Sequence, residues 1–265
     1  MIKPRIAASS YLNAAPLCYS FVYGEQKNRC EFTSDAAPAR CAELLAGGDV
    51  DAALIPAIEY QRIAGLKVAP GACVASKATV RSVVLVSRVP LTEVRSVALD
   101  TSSRTSAALV QIILGRFYSH HPLYRPSPPN IGQMLELNDA ALIIGDPAML
   151  VDRSALRVYD LAEEWRAHTG LPFVFAFWGI RSDSRAWPGG VDFLAAKREG
   201  TSRIDEISRS YSIGLNLSTD ELRRYLTENI SYDLDEESLR GLNLYYDLAR
   251  DCGLIEGVRE LDFAL

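Results

Sequence analysis

Two stretches of this sequence crowd hydroxyls and amides where a strand gives way to a helix. In RIAASSYLNAAPL, residues 5–17, a short apolar run is followed by Ser9, Ser10, Tyr11 and Asn13 before apolar residues resume at helical spacing. In SVALDTSSRTSAALVQIIL, residues 96–114, a strand ends at Asp100, and Ser102, Ser103, Arg104, Thr105 and Ser106 lead into a helix. The first N–H groups of a helix lack carbonyl partners, and its N-terminus carries a partial positive charge. Hydroxyls placed there converge with those N–H groups on a site for a carboxylate or phosphate. Capping needs only one hydroxyl, so four at one helix start favour a ligand. Arg104 either adds a charge-assisted bond to the anion or points to solvent. Asn13 alone would suffice as an N-cap, but Tyr11 and the two serines beside it favour ligand contact.

Weaker signals lie elsewhere. CVASKATVRSV, residues 73–83, reads as a hairpin-like turn whose Ser76, Thr79 and Ser82 either line a cleft or serve as turn chemistry. In ALIIGDPAML a strand ends at Gly145 and a helix begins with Pro147, so Asp146 caps that helix or faces a ligand. His120 and His121 follow a helix end and His168 lies in a polar helix, so no Ser/His/Asp or Cys/His arrangement emerges. Neither GxGxxG nor GxxxxGK[ST] occurs, which argues against dinucleotide and P-loop sites. Chemistry without a histidine base, a metal set or a redox cofactor must rest on positioning and electrostatics. An elimination that gains aromaticity would qualify.

The elements that must position these residues alternate. RIAAS, NAAPLCYSFVYG, CEFTS, APARCAELLAGG and VDAALIP read as strand and helix in turn, which indicates βαβ units around a mainly parallel sheet. A second cycle follows SVVLVS: the strand SVALD, a long helix over about 104–118, then AALIIGD and FVFAFWGI. The three prolines of LYRPSPPN, residues 123–130, forbid a helix and predict a loop. After Arg181 the pattern is helical to the end, with a capping box at Ser218 and Glu221, a helix start at Asp235–Glu237 and a cap at Gly253. Strand-to-helix junctions in both units put their polar groups at carboxyl ends of strands, where open α/β sheets bind ligands.

Composition sets the outer bounds. With 265 residues, 48% of them hydrophobic, the chain can build one large or two medium cores without staples. A net charge of −5, with basic residues spread along the chain, offers no footprint for nucleic acid. The cysteines, Cys18, Cys30, Cys41, Cys73 and Cys252, are odd in number and widely spaced, as expected of free thiols in a reducing compartment. The first residues lack a signal peptide's apolar core and no 18-residue apolar run occurs, so a cytoplasmic protein without a membrane partner is expected. Oligomeric state is not encoded legibly.

Seven segments taken in order, SYLNAAPL, GDVDAALIPAIEYQR, GACVAS, RSVVLVS, ALDTSSRTSAALVQIIL, AALIIGDPAML and TGLPFVFAFW, resemble the chorismate dehydratase family of the futalosine route to menaquinone. The resemblance spans about Ile6–Trp178 and is looser beyond. It implies an α/β, two-lobed periplasmic-binding-protein-like fold with two interdomain crossovers and a cleft between lobes. We expect residues 1–88 plus 182–265 in the first lobe and 89–181 in the second. It further implies a lyase that dehydrates chorismate to 3-[(1-carboxyvinyl)oxy]benzoate without metal or organic cofactor. Asn13 then orients substrate or bonds the departing oxygen, since an amide is no base. Ser103, Thr105 and Ser106 hold one carboxylate. Ser10, Asn13 and Ser82 address the other carboxylate or the hydroxyl, and Tyr11, Arg104 and Asp146 complete the substrate contacts. Glu59, Asp100 and Asp146 are candidate proton acceptors, although the enolpyruvyl carboxylate of the substrate is favoured. The alternatives are a noncatalytic small-carboxylate-binding protein of the same fold and a sister enzyme acting on a cyclised futalosine derivative.

Overall fold

A computed structural model describes residues 3–184 and 190–264. In chain order the first unit holds β1 (Arg5–Ser9), α1 (Ala15–Val22), β2 (Glu31–Asp35), α2 (Pro38–Gly47), β3 (Ala52–Pro56), α3 (Glu59–Arg62) and β4 (Leu66–Ser76). The second holds β5 (Val83–Ser87), β6 (Ser96–Asp100), α4 (Thr105–Ile112), β7 (Leu123–Ser127), α5 (Ile131–Leu137), β8 (Ala140–Ile144), α6 (Asp146–Met149), β9 (Arg157–Asp160) and α7 (Leu161–Thr169). The chain then returns through β10 (Phe173–Arg181) to α8 (Phe193–Thr201), α9 (Ile204–Leu215), α10 (Thr219–Arg224) and α11 (Glu236–Asp251).

Each lobe is built on a five-stranded sheet. The first has the order β2-β1-β3-β10-β4 and the second β7-β6-β8-β5-β9. In both, four strands run the same way, and the strand delivered by a crossover, β10 or β5, lies antiparallel between two of them. The sheets are therefore mixed where the sequence predicts mainly parallel ones, because each crossover strand arrives from the opposite end of its new sheet. Every residue of β3, β5 and β8 is buried, as strands covered on both faces require. The edge strands β2 and β7 alternate towards solvent instead.

Several expected boundaries move. The chain passes between sheets over residues 77–82 and again over 170–172, so β5 belongs to the second sheet and β10 to the first. This corrects the expected division at 88 and 181. Residues 73–83 form the end of β4 and a crossover, not a hairpin. LYRPS is edge strand β7, where Pro126 costs no ladder bond if its missing N–H faces outward. The helix after Thr105 is α-helical only to Ile112 and continues as a π-helical turn over Ile113–Phe117. The capping residues of the tail behave as their types predict: Ser218 accepts from the Glu221 N–H, Asp235 from that of Ser238, and Gly253 is left-handed.

Packing holds the strand-to-helix junctions in place. α1 lies across α8, where the aromatic rings of Phe21, Trp178 and Phe193 pack edge-on and stacked. Such contacts exceed simple area burial by roughly 0.5–1.5 kcal/mol per pair. Among the described residues no helix is long and apolar enough to cross a membrane.

Candidate functional site

β1 ends at Ser9 and the chain makes a single 3-10 turn over Leu12–Ala14 before Pro16 opens α1. No side chain caps either helix start here. Asn13 is therefore free of the capping role that its type suggests, and it lines the cavity described below. On the second lobe, Asp100 ends β6 and accepts from both the N–H and the hydroxyl of Ser102 (2.8 and 2.6 Å) and from the Ile144 N–H. That turn aims α4 at the first lobe. The Ser103 hydroxyl accepts from the Ser106 N–H, Thr105 Oγ1 accepts from the Ile58 N–H at 3.2 Å, and the Tyr245 hydroxyl donates to the Thr105 carbonyl.

The two junctions meet in one narrow cavity of about 50 Å³. Ser9, Tyr11 and Asn13 line it from the first lobe and Ser103, Thr105 and Ser106 from the second, with Leu54, Val74 and Phe175 supplying apolar wall. No Lys, Arg or His side chain lines it, so the polar groups it offers are hydroxyls, the Asn13 amide and the first turn of α4. The lobes are drawn together around it. The Leu12 N–H donates to Asp146 Oδ1 at 2.9 Å, the Ala39 N–H to the Ser102 carbonyl, and Arg104 bridges to Glu59 and Glu43 at 2.7 and 2.8 Å. Gly145 has φ +68°, and a Cβ there would lie 2.7 Å from the ring of Tyr11.

Burial governs the titratable groups. Asp146 is pushed up to about 6 by burial, opposed by the Leu12 N–H. Burial also raises Asp100, against its bonds from Ser102 and Ile144. Tyr11 is raised by burial, with the Ser102 hydroxyl opposing and the charges of Asp100 and Asp146 adding. Glu59 is buried between Arg62 and Arg104, at 2.9 and 2.7 Å. No cluster of three or more metal-ligating side chains occurs among the described residues.

A protein-family model for menaquinone biosynthesis matches residues 4–251. The chain belongs to the menaquinone biosynthesis family. Within known proteins it is similar to the chorismate dehydratase of Thermus thermophilus, with 30% identity over 229 residues, 79% of this chain and 83% of that protein. In fold it is similar to a crystal structure of an Archaeoglobus fulgidus protein (TM-score 0.76, 19% identity, 96% of this chain and 98% of that one). It is also similar to the alkanesulfonate-binding protein SsuA of Xanthomonas axonopodis, solved with MOPS (TM-score 0.70, 15% identity, 96% of each chain). The family member described here thus has the two-lobed periplasmic-binding-protein-like fold.

Against the expected site, the structure brings Tyr11, Asn13, Ser103, Thr105 and Ser106 to one cavity. The other four stand elsewhere. Ser10 is exposed in a neighbouring hollow with Tyr19 and Tyr211, and its carbonyl accepts from the Tyr211 hydroxyl. Arg104 is absent from the cavity lining and pairs with two glutamates of the first lobe, Glu59 and Glu43. Asp146 does not cap α6 but receives the Leu12 N–H across the cleft. Ser82 is fully buried behind the wall and bonds the Tyr225 hydroxyl at 2.7 Å. His168 stacks on Phe117 at 4.5 Å, a packing role. Of the other lining residues, Ser9 belongs to the polar cluster that the sequence already marks, whereas Phe175 sits in an apolar pattern that reads as core.

Proposed function

We propose that this protein removes water from chorismate to give 3-[(1-carboxyvinyl)oxy]benzoate in menaquinone biosynthesis, with Asn13 and the α4 N-terminus as its substrate-handling groups. The observation that carries the reading is that Asn13, Ser9 and Tyr11 of one lobe share one cavity with Ser103, Thr105 and Ser106 of the other, beside an apolar wall of Leu54, Val74 and Phe175. Chorismate offers two carboxylates, a ring hydroxyl and a ring proton whose loss lets the ring become aromatic. One carboxylate suits the α4 N-terminus, where backbone donors and the helix dipole favour an anion. The ring suits Leu54, Val74 and Phe175, and Asn13 suits the departing oxygen.

In the elimination the ring C–H bond breaks and its electron pair becomes a ring double bond. The C–O bond breaks with its pair on oxygen, and the proton ends on that oxygen as water. The first acceptor of the proton is the enolpyruvyl carboxylate of the substrate. Support comes from the protein acids, which are otherwise engaged: Glu59 lies between two arginines, Asp100 takes three hydrogen bonds, and Asp146 takes the Leu12 N–H. An apolar, water-poor wall strengthens each dipole that faces the developing charge.

The test is to mix purified protein with chorismate, follow loss of the diene absorbance, and identify the enolpyruvyl benzoate by chromatography. Turnover is expected. Stable binding without product would overturn the proposal and leave a small-carboxylate-binding protein of the same fold.

A further inference from the structure

We propose that Tyr245 and Tyr246, adjacent on α11, are positioning residues that commit the Thr105 hydroxyl to donating a hydrogen bond into the cavity. The inference rests on the carboxylate site just placed at the α4 N-terminus and names what sets the direction of one of its donors. Both tyrosines are completely buried, and both hydroxyls act on backbone carbonyls. Tyr245 reaches the Thr105 carbonyl at 3.0 Å and Tyr246 the Ala57 carbonyl at 2.7 Å. A carbonyl has no proton to give, so the tyrosine is the donor in each bond.

The two carbonyls stand on the two sides of one contact between the lobes. Ala57 and Ile58 share a planar peptide unit, whose C=O and N–H point in opposite directions. Its C=O is held by Tyr246 and by the Tyr60 N–H at 3.3 Å, which directs the Ile58 N–H across to Thr105 Oγ1 at 3.2 Å. Tyr245 meanwhile holds the backbone of Thr105 itself. Neighbouring residues on a helix project about 100° apart, so one short stretch of α11 reaches both lobes at once. Trp165 and Phe173 pack edge-on against the Tyr245 ring, with centroids at 6.3 and 5.0 Å, and keep it in place.

The consequence is the direction of a proton. An N–H can only donate, so Thr105 Oγ1 accepts from Ile58 and keeps its own hydrogen for another partner. Among the described residues no acceptor takes that hydrogen, and Thr105 lines the cavity. The group that fits there is an oxyanion, here a substrate carboxylate. From the Tyr246 hydroxyl through the 57–58 peptide to the Thr105 hydroxyl every donor runs the same way, and hydrogen bonds in such a chain polarise one another. The chain is complete only with the lobes together, since Ile58 belongs to the first and Thr105 to the second.

The experiment measures KM and kcat for chorismate, with thermal unfolding alongside, in Tyr245→Phe, Tyr246→Phe, Thr105→Val, Thr105→Ser and the combination of Tyr246→Phe with Thr105→Val. Each Tyr→Phe change removes one oxygen and keeps the buried ring. Each is expected to raise KM about fivefold with kcat within about twofold, as for a contact equally strong in ground and transition states. Thr105→Val keeps the branched shape without the hydroxyl and is expected to raise KM about tenfold, and Thr105→Ser to bring it back towards wild type. The combination is expected to match the KM of Thr105→Val within about twofold, because the tyrosine acts only through that hydroxyl. Wild-type KM in both tyrosine variants, whatever their Tm, would overturn the positioning role and leave the functional reading intact. Effects that multiply in the combination, or a wild-type KM in Thr105→Val, would overturn it as well. Should one tyrosine variant fail to fold, the other reads the same chain, and Thr105→Val against Thr105→Ser still tests the donor. No turnover in the wild-type protein would instead overturn the reading on which the inference rests.

Discussion

Asn13 sits just before a helix yet caps nothing, and it lines the cavity. Asp146 has the opposite character, an acid held by a cross-cleft bond and raised to about 6 by burial. The folded protein binds this proton more tightly than the unfolded chain, whose aspartates titrate near about 3.9. Stability from this group is therefore highest below that value, falls as pH rises through about 6, and carries its full penalty near pH 7. Asp146→Asn keeps an oxygen for the Leu12 N–H and removes the charge. It is expected to raise Tm by about a few degrees near pH 7 and to change it little near pH 4, measured by calorimetry. A lower Tm near pH 7 would show that the charged bond to Leu12 outweighs the burial penalty. Most of the polar groups that meet in the cavity were legible as types in the sequence, because a strand end crowded with hydroxyls has few structural uses. Ser10, Arg104 and Ser82 do not line the cavity for one shared reason: sequence places a residue near a strand end but does not say which way it points.

At the scale of elements, α4 is the unit proposed to face the anion, through the residues of its first turn that line the cavity. Ser106 lines the cavity, whereas Ser103 also bonds the helix backbone. Ser106→Ala is expected to raise KM for chorismate about tenfold with Tm nearly unchanged, and Ser103→Ala to raise KM and also lower stability by about 1 kcal/mol through the lost cap. Equal KM values for wild type and Ser106→Ala would remove the helix start from the anion site. The support behind α1 is equally specific. A Cβ on Gly200 would lie 1.7 Å from the Pro16 carbonyl oxygen, while one on Gly214 meets nothing within 4 Å. Gly200→Ala is expected to lower Tm sharply in a melting experiment, and Gly214→Ala, inside α9, to raise stability by up to about 1 kcal/mol. The Gly200 result tests whether α1 and α8 cross as closely as described. The alternation of strands and helices was readable from periodicity, but β7 was not, because Pro126 within it, followed by Pro128 and Pro129, speaks against a strand everywhere except at an edge.

For the whole molecule the decisive feature is how the lobes meet. A pocket for a drug-sized ligand usually encloses roughly 300–1,000 Å³, and the present cavity is about 50 Å³, so substrate entry requires the lobes to part. Closure brings the Tyr11 ring onto Gly145, at a backbone conformation that suits glycine alone. Gly145→Ala adds a methyl in the path of that ring. It is expected to lower kcat/KM for chorismate by about a hundredfold or more while the second lobe still folds, assessed by steady-state kinetics beside circular dichroism. Wild-type kinetics in this variant would mean that catalysis does not need the contact between Tyr11 and Gly145.

The sequence by itself determined the residue types at both strand ends, the alternation of elements and the caps of the C-terminal helices, because these follow from local hydrogen-bonding and side-chain periodicity. It also carried the order of segments that marks the family. Only the tertiary structure decided where the chain crosses between sheets, which acids are neutralised, and which hydroxyls reach the cavity. Those outcomes depend on contacts between residues far apart in the chain, such as Leu12 with Asp146, Arg104 with Glu43 and Tyr225 with Ser82. No local pattern encodes such partners, since each side chain is satisfied only after both lobes and the C-terminal helices have packed.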